Sequence, residues 1–284
     1  LDSGTSKVHS VLKDNAGNLW IAIYQKGVMM IPAQPNSFKY IGYKSINKNI
    51  IGSNCITSLC RDHEGILWIG TDNDGIYGIT TELKQRVHYA PHDSPFSVPS
   101  TVFGLYEDSE RNLWFGSYTN GLGRLDKKTG QCSYLQNLTD KHGNRIQRVY
   151  DLVEDQDKRL WIATMGAGLF YYDLKTGQSV YDPKFNAATE KYKWISCLLY
   201  AGDNHLYVGT YDGIRCIDLS TDDFKTEEIL SRHIIHSLYE DPQGNIWIGS
   251  SDGLAEWNPQ TRQLKTYTTA HGPVSYTHLT LPTI

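Results

Sequence analysis

Short apolar runs separated by polar turns recur along the whole chain. The pattern is clearest at 102–135 and 149–181, where each stretch holds four such runs with turns rich in Gly, Asn, Asp and Lys between them. Runs of this length and spacing indicate antiparallel meanders of four strands, which we name A, B, C and D in chain order. The predicted strands are 102–108, 113–117, 122–126 and 131–135 in one stretch, and 149–155, 160–164, 168–173 and 178–181 in the next.

One aromatic position of strand B recurs six times and sets the period of the pattern. These anchors are Trp20, Trp68, Trp114, Trp161, Tyr207 and Trp247, spaced 40 to 48 residues apart. A repeat of this period built from short strands is typical of a β-propeller. The sequence therefore predicts an all-β propeller of four-stranded antiparallel blades, with six blades present.

Other positions keep a fixed distance from the anchor and have structural explanations. An Asp lies six residues before five of the anchors: Asp14, Asp62, Asp108, Asp155 and Asp241. We expect its carboxylate to accept hydrogen bonds from backbone N–H groups and so close the A–B turn. A Gly or Ala two residues after the anchor would make room for the next blade. Because these Asp residues belong to different blades, no metal site is predicted.

Two details of the repeat carry further expectations. The A–B turn holds a Gly in three copies but Arg111, Lys158 and Asn204 in others, so a positive φ is expected at non-glycine residues there. The fifth copy has Ala201 in place of the Asp and Tyr207 in place of the Trp. We interpret it as a genuine blade that has diverged.

Composition narrows the function only slightly. There are 27 basic and 31 acidic residues and a net charge of −4, which argues against a nucleic-acid interface because such a surface needs a basic face. The five cysteines, Cys55, Cys60, Cys132, Cys197 and Cys216, include no C-x-x-C pair, and their odd number excludes complete pairing. They are expected to be small buried residues in strands, and no cofactor is predicted.

Both ends of the chain suggest a fragment. The sequence starts at Leu1 without a leader, and residues 274–284 break the repeat and resemble the translation of a sequencing adapter. We therefore expect a propeller fragment at 1–273 and a non-native tail at 274–284. No apolar run reaches the ~18 residues that would span a bilayer.

Strand direction sorts the loops onto two faces. The A–B and C–D turns share one face, the turn face, whereas the B–C loops and D-to-A connections share the other, the loop face. Residues that vary on a fixed scaffold are expected to bind ligands. The candidate binding residues on the loop face are Tyr24, Asp72, Asn73, Tyr118, Asn120, Arg145, Arg148, Trp194, Tyr211, Asp212, Arg232 and Asp252. Their aromatic, amide, carboxylate and guanidinium groups suit sugars, and the arginines would favour an anionic saccharide.

Two stretches of the repeat show a family resemblance most clearly. They are SLYEDPQGNIWIGSSDGLAEWNPQTRQLKTY (237–267) and SLCRDHEGILWIGTDNDGIYGI (58–79). They resemble two-component regulator propeller repeats, and the resemblance extends over roughly residues 8–267. It implies seven-bladed propellers in the periplasmic sensor region of hybrid two-component histidine kinases, many of which detect oligosaccharides from polysaccharide breakdown. It also implies a homodimer through the full-length sensor and attachment to a membrane through segments beyond this chain.

Two other functions remain open. The propeller could be a dimerisation or docking scaffold that binds no ligand itself. Catalysis is the more remote alternative, as a glycosidase using Arg145, Arg148 and Arg232 or a lyase using His233 or His9 with a carboxylate. The A–B turn has the wrong spacing for the sialidase Asp-box, so no catalytic residue is assigned.

Overall fold

The computed structural model describes residues 8–13, 19–23, 27–31, 51–53, 55–80, 85–140, 142–181, 186, 193–220 and 224–267. They belong to two compact units, residues 1–49 and residues 50–284. Tyr24, Asp14 and the tail at 274–284, for which the sequence made predictions, lie outside the described residues.

The first unit contains one antiparallel sheet of three strands. These are β1 (Val8–Lys13), β2 (Leu19–Ile23) and β3 (Gly27–Ile31), in that order across the sheet. They coincide with strands A, B and C of the first repeat, which we call blade 1.

The second unit contains five sheets, each an antiparallel meander of four strands that follow one another in the chain. The strands are β4 (Ile56–Arg61), β5 (Leu67–Thr71), β6 (Ile76–Ile79) and β7 (Gln85–Tyr89) in blade 2; β8 (Val102–Glu107), β9 (Leu113–Ser117), β10 (Leu122–Leu125) and β11 (Cys132–Tyr134) in blade 3; β12 (Val149–Glu154), β13 (Arg159–Thr164), β14 (Leu169–Asp173) and β15 (Gln178–Val180) in blade 4; β16 (Ile195–Ala201), β17 (His205–Thr210), β18 (Gly213–Asp218) and β19 (Thr226–Ser231) in blade 5; and β20 (Ile235–Glu240), β21 (Ile246–Ser250), β22 (Gly253–Asn258) and β23 (Gln263–Tyr267) in blade 6. The strands predicted at 102–135 and 149–181 are confirmed to within one residue at each end. Within the described parts of the chain, no helix is long and apolar enough to cross a membrane.

The hydrophobic core lies between blades rather than inside one sheet. Trp114 packs with Leu152 and Leu160 of blade 4, whereas the next residue, Phe115, packs with Trp68 of blade 2. Successive strand residues point to opposite faces of a sheet, so strand B contributes to the core on both sides. Each central strand is therefore apolar on both faces, and the strongly apolar B strands of the sequence follow from this.

The small residue two positions after the anchor allows neighbouring blades to approach closely. A Cβ atom on Gly116 would lie 2.5 Å from the carbonyl oxygen of Val149 in blade 4. On Gly209 it would lie 2.8 Å from Cγ2 of Ile235 in blade 6. The structural role that the sequence predicted for this position is confirmed.

The Asp that recurs in the A–B turn accepts hydrogen bonds from the anchor side chain as well as from the turn backbone. Oδ1 of Asp108 accepts hydrogen bonds from the N–H groups of Glu110 and Asn112 at 2.9 and 2.8 Å. Oδ2 accepts one from the indole Nε1–H of Trp114 at 2.7 Å. The first contacts confirm the predicted turn closure, while the bond to the anchor was not foreseen. Arg111 itself has a φ of 72°, as predicted.

A Glu at the end of strand A joins the turn faces of neighbouring blades. Oε2 of Glu107 accepts a hydrogen bond from the backbone N–H of His63 in blade 2 at 2.7 Å, and Glu154 holds Ser109 N of blade 3 at 2.6 Å in the same way. Glu107 also forms an ion pair with Lys127 at 2.6 Å. Desolvation opposes its ionisation, yet the hydrogen bonds from Lys127 and His63 lower the pKa of Glu107. The blades are thus connected by charge-assisted bonds as well as apolar packing.

The cysteine prediction holds only in part. Cys132, Cys197 and Cys216 are buried in strands, and Cys60 is half-buried in β4. Cys55 is exposed and lies before β4, so the prediction is wrong for that residue. It belongs to the connection that leads into blade 2, where its backbone carbonyl accepts a hydrogen bond from Asp72.

Candidate functional site

The hydroxyl group at the end of strand B fixes each B–C loop. Thr210 Oγ1 donates to the carbonyl of Gly213 at 2.9 Å and accepts from the N–H of Asp212 at 3.1 Å. The same pair of bonds occurs at Thr71, Ser117, Thr164 and Ser250. The B–C loops of blades 2 to 6 are therefore held in defined conformations, as a preorganised binding surface requires.

The D-to-A connections dock against these loops. The N–H groups of Asp72, Met165 and Tyr211 donate to the carbonyls of Cys55, Arg148 and Trp194 at 3.0, 3.1 and 3.2 Å. The loops and the connections therefore share one face, as the sequence predicted. Residues from separate repeats are placed side by side on it.

The first cluster on this face lies between blades 3 and 4. The Arg148 guanidinium lies over the ring of Tyr118, 4.9 Å from its centroid. Phe103 contacts Tyr118 edge-on at 5.9 Å and stacks on Tyr150 at 4.4 Å. Tyr118 is 41% exposed, so part of this aromatic surface faces solvent. We call these four residues the mouth cluster.

The second cluster lies between blades 4 and 5. The rings of Trp194 and Tyr211 are stacked, with centroids 5.8 Å apart and planes inclined by 28°. They are 40% and 43% exposed. Such a pair offers apolar ring faces to a ligand together with a phenol and an indole N–H.

The acidic and amide residues predicted for blade 2 are fixed at its loop. Oδ1 of Asp72 accepts a hydrogen bond from Thr101 Oγ1 at 3.1 Å, and Oδ1 of Asn73 accepts one from Ser53 Oγ at 2.8 Å. Desolvation raises the pKa of the Tyr150 phenol, and the fields of Tyr211 and Asp72 add to this effect.

The remaining predicted residues form separate pairs. Arg145 Nη2 donates to the carbonyl of Asn120 at 3.1 Å. The N–H of Arg232 donates to the carbonyl of Asp212 at 3.1 Å. Asp252 lies 3.2 Å from Nε2 of His233. Each pair joins a B–C loop to a D-to-A connection.

A cavity continues from the mouth cluster toward the middle of the second unit. It has a volume of about 260 Å³ and is lined by the A strands of blades 2 to 6, so we call it the axial channel. In blades 2 to 6 each A strand has a β-bulge near its start, and residues of these bulges line the channel. Sequence reasoning missed these residues because it treated the A strands as uniform.

Three bulge residues differ in character from their equivalents and could have been found by comparing copies. Phe103 and Tyr150 occupy the position of Thr57, Ser196 and His236. Asp151 occupies the position of Ser58, Gly104, Cys197 and Ser237. The two aromatic residues and the carboxylate thus stand out from the Ser, Thr, His, Gly and Cys residues of the other blades, and such a difference between copies is a signal that the sequence contains.

A larger cleft lies elsewhere on the molecule. It has a volume of about 650 Å³, lies at the outer edge of blade 3 and is lined by Arg111, Arg124 and Lys128 among others. None of the predicted binding residues lines it. Within the described ranges, no group of three or more His, Cys, Asp or Glu side chains could hold a metal ion.

The comparisons with known proteins agree with the repeat. Residues 50–73, 98–119, 145–166 and 229–252 match the family model described as the two component regulator propeller. The chain carries two-component regulator propeller repeats. The four segments are the A–B hairpins of blades 2, 3, 4 and 6. The first copy and the fifth, which lacks the Asp and the Trp, are not among them. No curated protein matches the sequence significantly.

Solved structures show the same fold. Two structures of the extracellular domain of BT4673 from B. thetaiotaomicron match with TM-scores of 0.68 and 0.62 at 22% and 18% identity, over 91% and 94% of this chain. The extracellular domain of the hybrid two component system BT3049 from the same organism matches with a TM-score of 0.55 at 19% identity over 96%. XC5397 from Xanthomonas campestris, a gluconolactonase, matches with a TM-score of 0.55 at 14% identity over 70% of this chain and 70% of its own.

These likenesses establish the β-propeller fold. The chain spans 36%, 34% and 41% of the three extracellular-domain structures, so it corresponds to a part of each. Similar folds at this identity serve both as extracellular domains of signalling systems and as an enzyme, so the fold alone does not decide the function.

Proposed function

We propose that this chain is a ligand-recognition propeller of an extracytoplasmic, periplasmic sensor in a hybrid two-component histidine kinase, and that its loop face binds oligosaccharides. The repeat family supports the signalling role, and the structural neighbours that are extracellular domains support the location outside the cytoplasm. The observation that supports oligosaccharide binding is the presence of two exposed aromatic clusters beside the axial channel.

The two clusters supply what sugar recognition needs. Tyr118 in the mouth cluster and the Trp194–Tyr211 pair present ring faces on which the C–H face of a sugar can stack. Arg148 lies over Tyr118 and brings guanidinium donors to the same surface, where they can pair with hydroxyl or carboxylate oxygens. Since the surrounding loops are fixed by the strand B hydroxyls, little ordering is needed when a ligand binds.

Binding rather than catalysis follows from the carboxylates. Glycoside hydrolysis commonly uses a pair of carboxyl groups on either side of the scissile bond. Among the described residues that line the axial channel, Asp151 is the one carboxylate. On the loop face, Asp72, Asp212 and Asp252 lie in the B–C loops of three separate blades. We therefore propose that the chain is not an enzyme.

Isothermal titration of the chain against neutral and acidic oligosaccharides tests this proposal. We expect one glycan class to bind, with affinity reduced at least tenfold by Trp194→Ala and by Arg148→Ala. Tyr239→Ala is the matched control, because Tyr239 is an exposed aromatic residue at the far end of β20 and should not affect binding. An absence of binding to every glycan class, or a loss that is equal in the control, would overturn the proposal.

A scaffold role is the second candidate, and one observation favours it. Blade 6 exposes Ile234, Tyr239, Leu254 and Leu264, whereas Leu122 and Leu169, the equivalents of Leu254 in blades 3 and 4, are buried. Leu122 and Leu169 are buried against the blade that follows each of them, so the equivalent face of blade 6 is one on which a further sheet, from this protein or from a second copy, would pack. If the scaffold role is correct, sedimentation velocity should show a concentration-dependent dimer that Leu254→Asp abolishes.

A further inference from the structure

The bulge of β12 places a carboxylate in the axial channel. Asp151 lines the cavity together with bulge residues of the other blades, at a position where those blades carry Ser, Gly or Cys. Its Oδ1 accepts a hydrogen bond from Leu152 N at 2.8 Å, and its Oδ2 accepts one from Leu198 N of blade 5 at 2.8 Å. Each carboxylate oxygen has a second lone pair for another donor.

The charge of Asp151 has no cationic partner in the channel. Among the described residues that line the cavity, none is Lys or Arg. Asp151 is half-buried. Removing a carboxylate even partly from water without a counter-charge is costly, and desolvation raises the pKa of Asp151 to about 6, against the two backbone hydrogen bonds that lower it. Blades 2 and 6 have a small polar residue at this position, which avoids this cost. The carboxylate in blade 4 is therefore a candidate for binding a ligand that compensates its charge.

The surroundings of Asp151 define the kind of ligand that would compensate it. Phe103 and Tyr150 line the channel and also belong to the mouth cluster, so they lie where the channel meets the loop face. Aromatic faces attract cations. Thr57 and Ser196 donate their hydroxyl hydrogens to the carbonyls of Val102 and Ile235, so their oxygens remain able to accept. The channel is therefore lined by a carboxylate, aromatic faces and acceptor oxygens, which together favour a cation with several N–H or O–H donors.

We propose that the axial channel binds an ammonium group carried on a polar ring of about one sugar unit, with the ammonium on Asp151 and the ring between Phe103, Tyr150 and the channel hydroxyls. The cavity volume of about 260 Å³ gives room for one sugar ring. The inference rests on the proposed function, in which the loop face binds the rest of an oligosaccharide, and it names the terminal unit that the channel selects.

Binding to the channel should depend on pH in a defined direction. The titratable groups that line the cavity with Asp151 are Tyr150, Cys197 and His236. The ammonium binds the ionised carboxylate, so affinity should rise as the pH increases through about 6.

Titration of the 284-residue chain with glucosamine, glucose and N-acetylglucosamine tests the site. At pH 7.5 we expect glucosamine to bind at least tenfold more tightly than the two uncharged sugars, and the preference to fall below threefold at pH 5. Asp151→Ser should remove the preference, since Ser58 and Ser237 occupy the equivalent position in other blades. Asp157→Ser, which removes an exposed carboxylate from the turn face of the same blade, is the control and should leave the preference unchanged.

Equal affinities for the three sugars in the wild-type chain would overturn the inference, and so would a preference that survives in a folded Asp151→Ser variant. If Asp151→Ser does not fold, the wild-type comparison and its pH dependence decide alone. Oligosaccharide binding that depends on Arg148 but ignores the amine would refute the channel site and leave the proposed function standing. Amine-selective binding at Asp151 without any oligosaccharide binding would support the channel site and refute the proposed function.

Discussion

The carboxylate of Asp155 accepts a hydrogen bond from the indole N–H of Trp161 at 2.7 Å, and this bond joins the A–B turn to the core of the blade. The same bond measures 2.8, 2.7 and 3.0 Å in blades 2, 3 and 6. Blade 5 has lost both partners together, with Ala201 and Tyr207 in their places. The Asp and the Trp thus behave as one unit, because either residue alone would leave a buried polar group unsatisfied.

Removing the carboxylate of Asp155 should therefore lower the free energy of unfolding by more than removing an ordinary turn side chain does. Asp155→Ala deletes the acceptor for Trp161 Nε1 and for the N–H groups of Asp157 and Arg159. We expect the free energy of unfolding to fall by about 2–3 kcal/mol, measured by urea denaturation. Asp157→Ala, at an exposed position of the same turn, should cost less than about 0.5 kcal/mol. Equal losses in the two variants would contradict this account.

Blade 5 allows the unit to be rebuilt. Ala201→Asp alone buries a carboxylate beside Tyr207, without an indole donor, and should destabilise the protein by more than about 1 kcal/mol. Adding Tyr207→Trp should recover at least about 1 kcal/mol of that loss, which a double-mutant cycle measures as coupling energy. Strictly additive effects would show that the two positions act independently.

The raised pKa of Asp151 gives a stability effect with a definite sign. The folded protein holds this proton up to about pH 6, whereas the ordinary value is 3.8, so stability is greatest below pH 4 and is lost as the pH rises to about 6. One pKa unit corresponds to about 1.4 kcal/mol, which makes the whole effect about 3 kcal/mol. The difference in unfolding free energy between the wild type and Asp151→Ser isolates this contribution from the other carboxylates. A difference that does not change between pH 4 and pH 7 would contradict the assignment.

Because neighbouring blades pack closely at Gly116, adding one methyl group there should lower the free energy of unfolding. Gly116→Ala places a Cβ atom 2.5 Å from the Val149 carbonyl oxygen, which belongs to the backbone of the next blade and cannot move aside. We expect a loss of about 2 kcal/mol or more in thermal or urea unfolding. Gly202→Ala is the control, because a Cβ atom there has no neighbour within 4 Å. A Gly116→Ala variant as stable as the control would mean that the blades can separate without cost.

The repeat made the architecture predictable. Because the strands, the turns and the glycines recur at fixed distances from the anchor, each copy supported the interpretation of the others, and strands such as β9 and β13 were placed to within one residue. The positive φ of Arg111 and Lys158 followed from comparison with the glycines of other copies. The seven-bladed propeller and the periplasmic sensor remain predictions from the resemblance.

The candidate site was predictable only where it lies in loops. Tyr118, Arg148, Trp194 and Tyr211 were selected because their positions vary between copies. Phe103, Tyr150 and Asp151 were missed because a period of two assigns them to a regular strand, and only the β-bulge turns them toward the channel. Contacts such as that between Asp155 and Trp161 were missed because side-chain pairing across a turn depends on geometry that a spacing rule does not contain.

The bulge at the start of every described A strand also bears on how such a protein can change its ligand over time. In blades 2 to 6 it places one residue, namely Thr57, Phe103, Tyr150, Ser196 or His236, in the lining of the central cavity. Substitutions at these five positions would change the chemistry of the cavity without changing any anchor residue. Because each repeat supplies one such position to the same cavity, single substitutions in several copies act together on one binding surface.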